Sequence, residues 1–442
     1  MSVKTADAAG FRRELGLLDS IVVVAGGIVG VGIFANPSNV ARVTGNPVVI
    51  LFAWALGGAV ALVGAFVWAE LASRFPHVGG QYVYLQRAYP PVVGFLYGVA
   101  LLFIINGGSL AAVSILFATY VDRSFVTLGT TGIRAAAAAA LLALTAVNVV
   151  GVRAGTRTTN VLMAAKVAGM LALVALALKH GAVPASRFDL SPATIAHGTS
   201  LSMILTALVP ILFAYGGWQS CANIAGEIKD PARNLARATV LGVIVVVALY
   251  LLLNTAYLWV LTPSQVAASP ALAADVARAV AGAAGARFVA LLIVVSSLGF
   301  LAVVILTGPR LYYAMALDGL FFGRAARLHP RFQTPAFALW FQAAVSVVLL
   351  TTNTYDQLLS YVVFADWLFF GLTAGALLIV RRQAPRPADG VAYAPGHPWT
   401  TIVFIIVAAG VVVNGFVVYP TQSLIGTAIL TAGTMVFFMM QP

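Results

Sequence analysis

Two ionisable residues stand inside segments of this chain that are otherwise almost wholly apolar. Lys166 lies in the run VLMAAKVAG, and Asp366 lies in the run VVFADWLFF. A charge in mid-bilayer is costly, so such residues often belong to a substrate or ion pathway. Lys166 either extends its ammonium to the membrane surface or presents it to an internal cavity. Asp366 can pair with a cation, accept a proton, bind a basic substrate or bond to neighbouring backbone or hydroxyl groups.

Glycine and proline interrupt two other apolar segments. The first contains GGIVGVG over 26–32, and the second reads PILFAYGGW over 210–218. Within a bilayer, irregular backbone is tolerated only where it is buried in protein or lines a cavity. Close helix packing or a proline kink accounts for each interruption taken alone. Paired interruptions in corresponding positions instead indicate a binding site between two broken helices.

The polarity of these broken ends favours a zwitterionic ligand. A helix that starts near Val31 and Gly32 presents free amides, which carry partial positive charge and attract a carboxylate. A helix that ends near Phe213 and Ala214 presents free carbonyls, which attract an ammonium, and the carbonyl of Ile28 can join them. The chain can therefore bind an α-carboxylate and an α-ammonium without a charged side chain.

The sequence lacks the side-chain clusters typical of enzymes. Its single cysteine, Cys221, rules out an intramolecular disulfide and a cysteine-rich metal site. The five histidines show no His-x-x-x-His spacing, and no cluster of nucleophile, base or metal ligands is apparent. We therefore expect no catalytic residue, no metal and no cofactor.

The composition is that of a membrane protein. Of the 442 residues, 61% are apolar and 9% are Asp, Glu, Lys or Arg, whereas an ordinary soluble protein carries about 25% charged residues. The net charge of +12 does not indicate a nucleic-acid partner, because the basic residues lie scattered between apolar runs. A bilayer-spanning helix needs about 20 apolar residues. We predict twelve spans, at 17–36, 47–72, 91–121, 133–151, 158–178, 199–225, 237–261, 286–316, 335–353, 357–381, 399–419 and 421–440.

Lysine and arginine predict the orientation of these spans. Cytoplasmic loops carry the excess of basic residues in membrane proteins. With the N-terminus in the cytoplasm and an even number of spans, seventeen basic residues fall on the cytoplasmic side and seven fall outside. The cytoplasmic set is Lys4, Arg12, Arg13, Arg74, Arg87, Arg153, Arg157, Lys229, Arg233, Arg237, Arg310, Arg324, Arg327, Arg331, Arg381, Arg382 and Arg386, and the outside set is Arg42, Arg123, Arg134, Lys179, Arg187, Arg278 and Arg287.

At the two interruptions the sequence resembles the amino acid–polyamine–organocation superfamily of permeases, and it is similar to bacterial relatives of the L-type amino acid transporters. The family pattern Gly-Ser-Gly-Ile-Phe appears as GVGIF over 30–34, and FAYGGW over 213–218 matches the sixth-helix motif. Further matches follow in the family's order: GAFVWAEL at 64–71, PHVGGQY at 76–82, EIKDPARN at 227–234, AMALDG at 314–319 and WLFFG at 367–371.

The resemblance implies an all-α polytopic membrane protein of about 12 transmembrane helices, with helices 1 and 6 broken. It implies a cytoplasmic tail at 1–16, inverted five-helix repeats of the leucine-transporter type at 17–178 and 199–381, and helices 11 and 12 at 399–440. Substrate would bind near the bilayer midplane in an alternating-access cycle. Val31 replaces the usual Ser, which keeps the backbone amide, removes a hydroxyl contact and narrows the pocket.

The resemblance also implies residue roles. In sodium-coupled members of this fold a cation lies near the broken first helix, whereas in the sodium-independent members a lysine of the fifth helix occupies that place. Lys166 matches this lysine, which implies sodium-independent transport. Such transport is coupled to a proton or works by substrate exchange. From its own position in the chain, Asp366 is predicted as a second coupling residue beside Lys166. The positions of Phe213, Trp218 and Glu70 predict gate residues, with lipid or core packing as the alternative for the two aromatics and loop anchoring as the alternative for Glu70, which can pair with Arg74. The predicted substrate-binding residues are Ile28, Val29, Gly30, Val31, Gly32, Phe213, Ala214, Tyr215, Gly216, Trp218, Asn106, Ser109 and Ser297; helix packing is the alternative for the last three.

These features predict a secondary active transporter, a permease or exchanger, for amino acids across a bacterial inner membrane. A neutral amino acid is the simplest substrate. Asp366 can balance a basic side chain, so a cationic amino acid or polyamine transporter is the alternative. A channel or a membrane-embedded enzyme fits less well. The expected partners are the amino acid, the lipid bilayer and protons, without nucleic acid, and the oligomeric state stays open.

Overall fold

The structure is a computed structural model that describes residues 11–180, 200–352, 355–384 and 392–440. These residues form helices without a β-strand, which confirms the predicted all-α class. The first ten tail residues and the start of the predicted second repeat, at residue 199, lie outside the described residues. So do three residues counted for orientation, namely Lys4, Arg187 and Arg386.

Sixteen α-helices follow one another in this part of the chain. They are α1 (Leu17–Ile28), α2 (Gly32–Thr44), α3 (Pro47–Arg74), α4 (Gln81–Ala88), α5 (Pro91–Ala100), α6 (Asn106–Ser124), α7 (Gly129–Val150), α8 (Val152–His180), α9 (Leu201–Tyr215), α10 (Pro231–Val260), α11 (Pro263–Ala268), α12 (Leu272–Leu317), α13 (Ala336–Thr352), α14 (Tyr355–Gln383), α15 (Trp399–Val418) and α16 (Pro420–Met440). A π-helical turn, Leu101–Ile105, joins α5 to α6, and 3₁₀ turns occur at Trp218–Glu227 and Gly323–Ala326.

The described helices account for all twelve predicted membrane segments. Ten helical segments are long and apolar enough to cross a bilayer, and two of these, Pro91–Ser124 and Leu201–Glu227, combine more than one of the elements above. The bent pair formed by α1 and α2 makes an eleventh. The shorter apolar helix α13 covers the predicted ninth span. Three spans begin at least six residues before their predicted starts. Helix α8 begins at Val152 instead of 158 and α10 begins at Pro231 instead of 237, while α12 is 46 residues long because it continues through a bend at Gly282.

Both predicted breaks are present, which confirms that the first and sixth membrane helices are discontinuous. The first helix stops at Ile28 and resumes at Gly32, with a 45° change of direction. In the second, α9 ends at Tyr215, and Gly217 adopts a left-handed φ of +119°, which glycine tolerates without strain. Helix α9 continues through Pro210, so the glycine pair makes this break and the proline does not.

Packing separates the helices that surround the breaks from those that face lipid. Helix α10 packs against α1 and α3, while α12 packs against α6 and α8. The last two helices keep large apolar side chains on their outer surface, including Val413, Val417, Phe438 and Met439. An exposed apolar surface of this kind belongs in hydrocarbon. The helix breaks are therefore buried among the central helices, and α15 and α16 lie towards the outside.

Candidate functional site

A cavity lies between the two helix breaks. Its volume is about 90 Å³, and by the same measure one water molecule needs about 10–15 Å³. It therefore has room for several waters or for a small ligand. Its walls come from both breaks and from α6, α12 and α14. Ten of the residues predicted for the site line it, namely Ile28, Gly30, Val31, Gly32, Phe213, Ala214, Gly216, Asn106, Ser109 and Asp366.

The start of α2 supplies the positive end of this cavity. Gly32 is the first residue of the helix, so the amides of Val31, Gly32 and Ile33 have no carbonyl of a preceding turn to bond. A Cβ atom on residue 32 would lie 3.0 Å from both the Cα and the Cβ of Ala214. Glycine here lets the two broken helices approach closely. The geometry suits an anionic group such as a carboxylate at the helix start.

The carbonyls opposite this helix start are joined by a tyrosine that sequence reasoning missed. The Tyr250 hydroxyl, on α10, lies 3.2 Å from the carbonyl oxygens of both Ile28 and Ala214. One hydroxyl hydrogen serves one of these oxygens at a time, and each carbonyl keeps a further lone pair. The carbonyl of Phe213 accepts a bond of 3.1 Å from the amide of Gly216. Tyr250 therefore links the ends of both broken helices.

The two breaks touch each other through glycine backbone. A Cβ atom on Gly217 would lie 2.2 Å from the carbonyl oxygen of Gly27, and one on Gly27 would lie 2.8 Å from the carbonyl oxygen of Gly217. Side chains at either position would push the helices apart. Both glycines line the cavity, although the site prediction did not include them.

Lys166 lies behind the first break and outside the cavity lining. Its ammonium is fully buried and donates a hydrogen bond to the carbonyl oxygen of Val29, the residue that directly follows the end of α1. A Cβ atom on Gly299 would lie 3.3 Å from the Cε of this lysine, so glycine on α12 leaves room for the side chain. The lysine therefore reaches the backbone of the broken helix instead of the membrane surface.

Asp366 is the acidic side chain of the cavity wall. Among the described residues it has neither a hydrogen-bond nor an ion-pair partner. Asn106 and Ser109, on α6, also line the cavity. The π-helical turn Leu101–Ile105 directly precedes Asn106, and such wide turns are frequent at functional sites.

Four predicted substrate residues lie outside the cavity lining. Val29 is fully buried beside Lys166, and the Ser297 hydroxyl donates to the carbonyl of Ile293 on its own helix. Tyr215 donates its hydroxyl to the carbonyl of Trp54, on α3. Trp218, also predicted as a gate residue, packs in an aromatic cluster with Trp68, Phe370 and Phe404.

Glu70, the third predicted gate residue, anchors a cluster at the far end of α3. Its carboxylate accepts hydrogen bonds from Arg74 at 2.9 Å, from Arg381 on α14 and from the amide of Ala394 at 2.8 Å. The predicted pairing with Arg74 is thus confirmed. The guanidinium of Arg381 also lies 3.7 Å from the ring centre of Tyr393. The cluster joins α3, α14 and the segment before α15.

A second buried ion pair joins the segment after the second break to α12, and backbone hydrogen bonds join the same segment to the N-terminal residues. Glu227, at the end of the 3₁₀ turn, pairs with Arg310 on α12 at 3.0 Å, and both side chains are fully buried. The backbone carbonyl of Glu227 accepts the amides of Glu14 and Leu15, and the amide of Lys229 returns to Leu15 at 2.9 Å. The N-terminal segment is therefore paired to the chain just after the second break.

Several cavity residues were missed by sequence reasoning. Gln219 and Ser220 follow Trp218 directly, so their position after the break was an available signal. Trp367 and Phe370 lie in the matched WLFFG run beside Asp366. Phe300 lies in an apolar helix, where nothing in the sequence distinguishes it from its neighbours. The described residues contain no cluster of three or more His, Cys, Asp or Glu side chains that could hold a metal.

Comparison with known proteins gives a family for this arrangement. A family model described as amino acid permease matches residues 15–440. The b(0,+)-type amino acid transporter 1 of Rattus norvegicus is 31% identical over 407 residues, covering 90% of this chain and 82% of the relative. The serine/threonine exchanger SteT of Bacillus subtilis (strain 168) is 28% identical over 379 residues, which is 85% of each chain.

A third relative, the large neutral amino acids transporter small subunit 2 of Homo sapiens, is 28% identical over 437 residues, covering 97% of this chain and 80% of the relative. The family model and the relatives thus extend over the membrane helices, both breaks and the cavity between them. This chain therefore belongs to the amino acid permease family, and it is a multi-pass membrane transporter of amino acids and not an enzyme.

Proposed function

We propose that this chain is a sodium-independent secondary transporter of neutral amino acids that works by alternating access. The observation that carries the proposal is the cavity between a helix start at Gly32 and a helix end at Tyr215. These ends have opposite partial charges, which match the two charges of an amino acid backbone. A neutral side chain then needs no further charge in the wall.

The proposed pose assigns each end of the zwitterion. The α-carboxylate lies at the amides of Val31, Gly32 and Ile33, and the α-ammonium lies towards the carbonyls of Ile28, Phe213 and Ala214. Val31 is nearly buried and adds bulk without a hydroxyl, which favours a small or compact substrate. Phe213 and Ser109 line the remaining space for the substrate side chain.

Sodium independence is supported by Lys166. Its ammonium is already hydrogen-bonded to the carbonyl of Val29, where a broken helix offers an oxygen that a metal cation would otherwise use. Transport then proceeds with a proton coupled through Lys166 or Asp366, or by exchange of one amino acid for another. Exchange is favoured by the similarity to SteT, which is a serine/threonine exchanger.

We place the chain in a bacterial inner membrane with its N-terminus in the cytoplasm. The asymmetry of lysine and arginine supports this orientation. Arg153 pairs with Glu14 of the N-terminal segment at 2.8 Å, so a basic residue assigned to the cytoplasm lies on the same face as that segment. The inverted repeats at 17–178 and 199–381 are part of the proposal, supported by one break at the start of each.

Counterflow in liposomes tests the proposal. Purified protein in vesicles preloaded with an unlabelled neutral amino acid should take up the labelled compound faster than in empty vesicles. Uptake should saturate, and it should not change when choline replaces sodium. Flux that ignores the internal amino acid and does not saturate would contradict a carrier mechanism. A rate that falls to background without sodium would contradict sodium independence.

A second candidate substrate is a basic amino acid or a polyamine. The observation that favours it is Asp366, a cavity-lining carboxylate with no hydrogen-bond or ion-pair partner elsewhere in the described part of the chain. A cationic side chain placed there would satisfy it. Competition by lysine or putrescine against uptake of a neutral amino acid distinguishes the two candidates.

A further inference from the structure

A second cavity lies away from the helix breaks, on the face that carries the N-terminal segment. Its volume is about 180 Å³, which is twice that of the central cavity. Three arginines line it, namely Arg12, Arg153 and Arg331. They come from the N-terminal segment, from the start of α8 and from the connection between α12 and α13. Three distant parts of the chain thus bring positive charge to one concave site.

Most of this positive charge is unbalanced. Glu14 is the one acidic residue lining the cavity in the described part of the chain, and its carboxylate pairs with Arg153 at 2.8 Å. Arg12 and Arg331 have no carboxylate partner among the described residues. Three arginines against one carboxylate give the lining a net charge of +2. A cavity that concentrates one sign of charge raises the local concentration of the opposite ion.

The groups around the cavity are held in place by the fold. The side chain of His329 accepts the backbone amides of Arg331 and Phe332, both at 3.3 Å. Thr334 then donates its hydroxyl to the carbonyl of Val149, at the end of α7, with a distance of 2.9 Å. The guanidinium of Arg331 lies 5.4 Å from the ring centre of Phe332. Such stacking leaves the N–H groups at the edge of the guanidinium available to an anion.

The start of α8 adds backbone donors. Val152 and Arg153 line the cavity and are the first residues of this 29-residue helix. The first amides of a helix have no acceptor within it and attract anions. Val150 and Val152 also mark the ends of two apolar spans. The cavity therefore lies at the level where a lipid head group meets water.

We propose that this cavity binds a phosphate-bearing anion. Arg12 and Arg331 would hold its oxygens through paired N–H groups, a geometry in which arginine matches phosphate. The start of α8 would donate to a further oxygen. The phosphate is supplied either by the head group of an anionic phospholipid or by a soluble phosphate compound, and the proposal is independent of the transported amino acid.

Occupancy of this site would act on the N-terminal segment. Arg12 lies three residues before Leu15. The backbone of Leu15 is hydrogen-bonded to Glu227, which ends the 3₁₀ turn after the second helix break, and to Lys229, two residues later. An anion bound by Arg12 and Arg331 would join this segment to the connections before α8 and before α13. We expect it to slow release of the segment from the broken sixth helix.

Thermal unfolding of the full-length protein in neutral detergent tests the proposal. The probes are phosphatidylglycerol, phosphatidylcholine as the neutral lipid, and inorganic phosphate with chloride as its control. The test variant is Arg12→Gln/Arg331→Gln. The matched control is Arg324→Gln/Arg327→Gln, which removes two exposed arginines from the same connection but outside the cavity lining. Single Arg331→Gln serves if the double variant does not fold.

The expected result is a rise in Tm that the test variant loses and the control variant keeps. A rise with phosphatidylglycerol but not phosphatidylcholine identifies a lipid head group as the source, whereas a rise with inorganic phosphate identifies a soluble anion. Equal rises in Tm in the wild type and both double variants would overturn the proposal, because the anionic probe would then stabilise the protein without Arg12 and Arg331. Wild-type protein that gains nothing from either phosphate probe would overturn it too.

Discussion

The ammonium of Lys166 donates a hydrogen bond to the carbonyl oxygen of Val29, where the first membrane helix is broken. Both residues are fully buried, and the bond joins helix α8 to the end of α1. A broken helix leaves carbonyl oxygens that need a donor or a cation, and hydrocarbon supplies neither. The lysine meets this need from within the chain. Any movement of α1 during transport must carry this bond along or break it.

Replacing Lys166 by Met should abolish uptake of amino acids or uncouple it from pH. The methionine fills similar space but leaves the Val29 carbonyl without its donor, at a cost of about 1–3 kcal/mol. A coupling of that size changes an equilibrium constant by about five- to 150-fold. Initial uptake rates in proteoliposomes measure the effect. Lys179→Met is the matched control, because Lys179 is exposed at the end of the same helix. Unchanged uptake with an unchanged pH profile in Lys166→Met would refute the role.

Tyr250→Phe should weaken substrate binding while leaving the fold intact. The ring keeps its packing against Trp54 and Tyr215, but the hydroxyl that links the carbonyls of Ile28 and Ala214 is lost. A hydrogen bond contributes about 0.5–1.5 kcal/mol net, and each 1.4 kcal/mol is about tenfold in affinity. We therefore expect the apparent affinity for the amino acid to change by about two- to tenfold.

The control for this substitution lies two helical turns away on α10. The hydroxyl of Tyr257 is buried and has no hydrogen-bond partner among the described residues, so Tyr257→Phe removes a hydroxyl without breaking a link between the helix breaks. Binding titrations by tryptophan fluorescence compare the two variants. Equal affinities in Tyr250→Phe and Tyr257→Phe would show that the link does not influence the site.

Asp366→Asn separates the two candidate substrate classes. If the substrate is neutral, the variant should still bind neutral amino acids, because the zwitterion is held by backbone groups of the two breaks. If the substrate is cationic, binding of basic compounds should be lost, since removing one member of a buried charge pair costs about 2–5 kcal/mol. Ligand-induced shifts in Tm measure both outcomes. Asp275→Asn, at a partly exposed ion pair with Arg278, is the control.

The segment before α15 should lose stability in mild acid. Burial and the nearby guanidinium of Arg381 lower the pKa of His397 below its usual value, with Arg74 adding to the effect and Glu70 opposing it. Folding therefore disfavours the protonated imidazole. The contribution of the neutral His397 side chain to the free energy of unfolding is present above the ordinary histidine pKa of about 6.5. It is lost as the pH falls through the lowered pKa of His397.

His397→Gln should remove this part of the pH dependence. The expected observation is that wild-type Tm falls more steeply than the variant's as the pH is lowered from neutral through mild acid. His180→Gln is the control, since His180 is exposed at the end of α8. Parallel curves for the wild type and His397→Gln would contradict the assignment to His397.

The helices and their breaks could be predicted from the sequence because the signals are local. An apolar run of about 20 residues is sufficient to indicate a span, and glycine weakens a helix wherever it occurs. The break between Ile28 and Gly32 and the glycine pair Gly216–Gly217 were therefore visible without any contact information. Seven of the ten predicted residues that line the cavity belong to these two breaks. Irregular backbone inside a membrane must be buried in protein or line a cavity, so the position of a break already indicates the site.

Which neighbouring side chains reach the cavity was decided by tertiary packing. Successive residues of a helix point about 100° apart, and helices that are apolar on every side carry no periodic signal of rotation. Trp218 and Gln219 are adjacent in sequence, yet the first packs against Trp68 and the second lines the cavity. Likewise, Tyr250 reaches both breaks only because α10 packs against α1.

The roles of the buried charges show the same division. The sequence by itself determined that Lys166 and Asp366 lie within membrane segments, because the apolar residues around them leave no other interpretation. Only the tertiary structure decided that the lysine bonds to backbone behind the first break while the aspartate faces the cavity. The physical reason is that a buried charge is stabilised by its partner, and the partner of Lys166 lies 137 residues away in the chain.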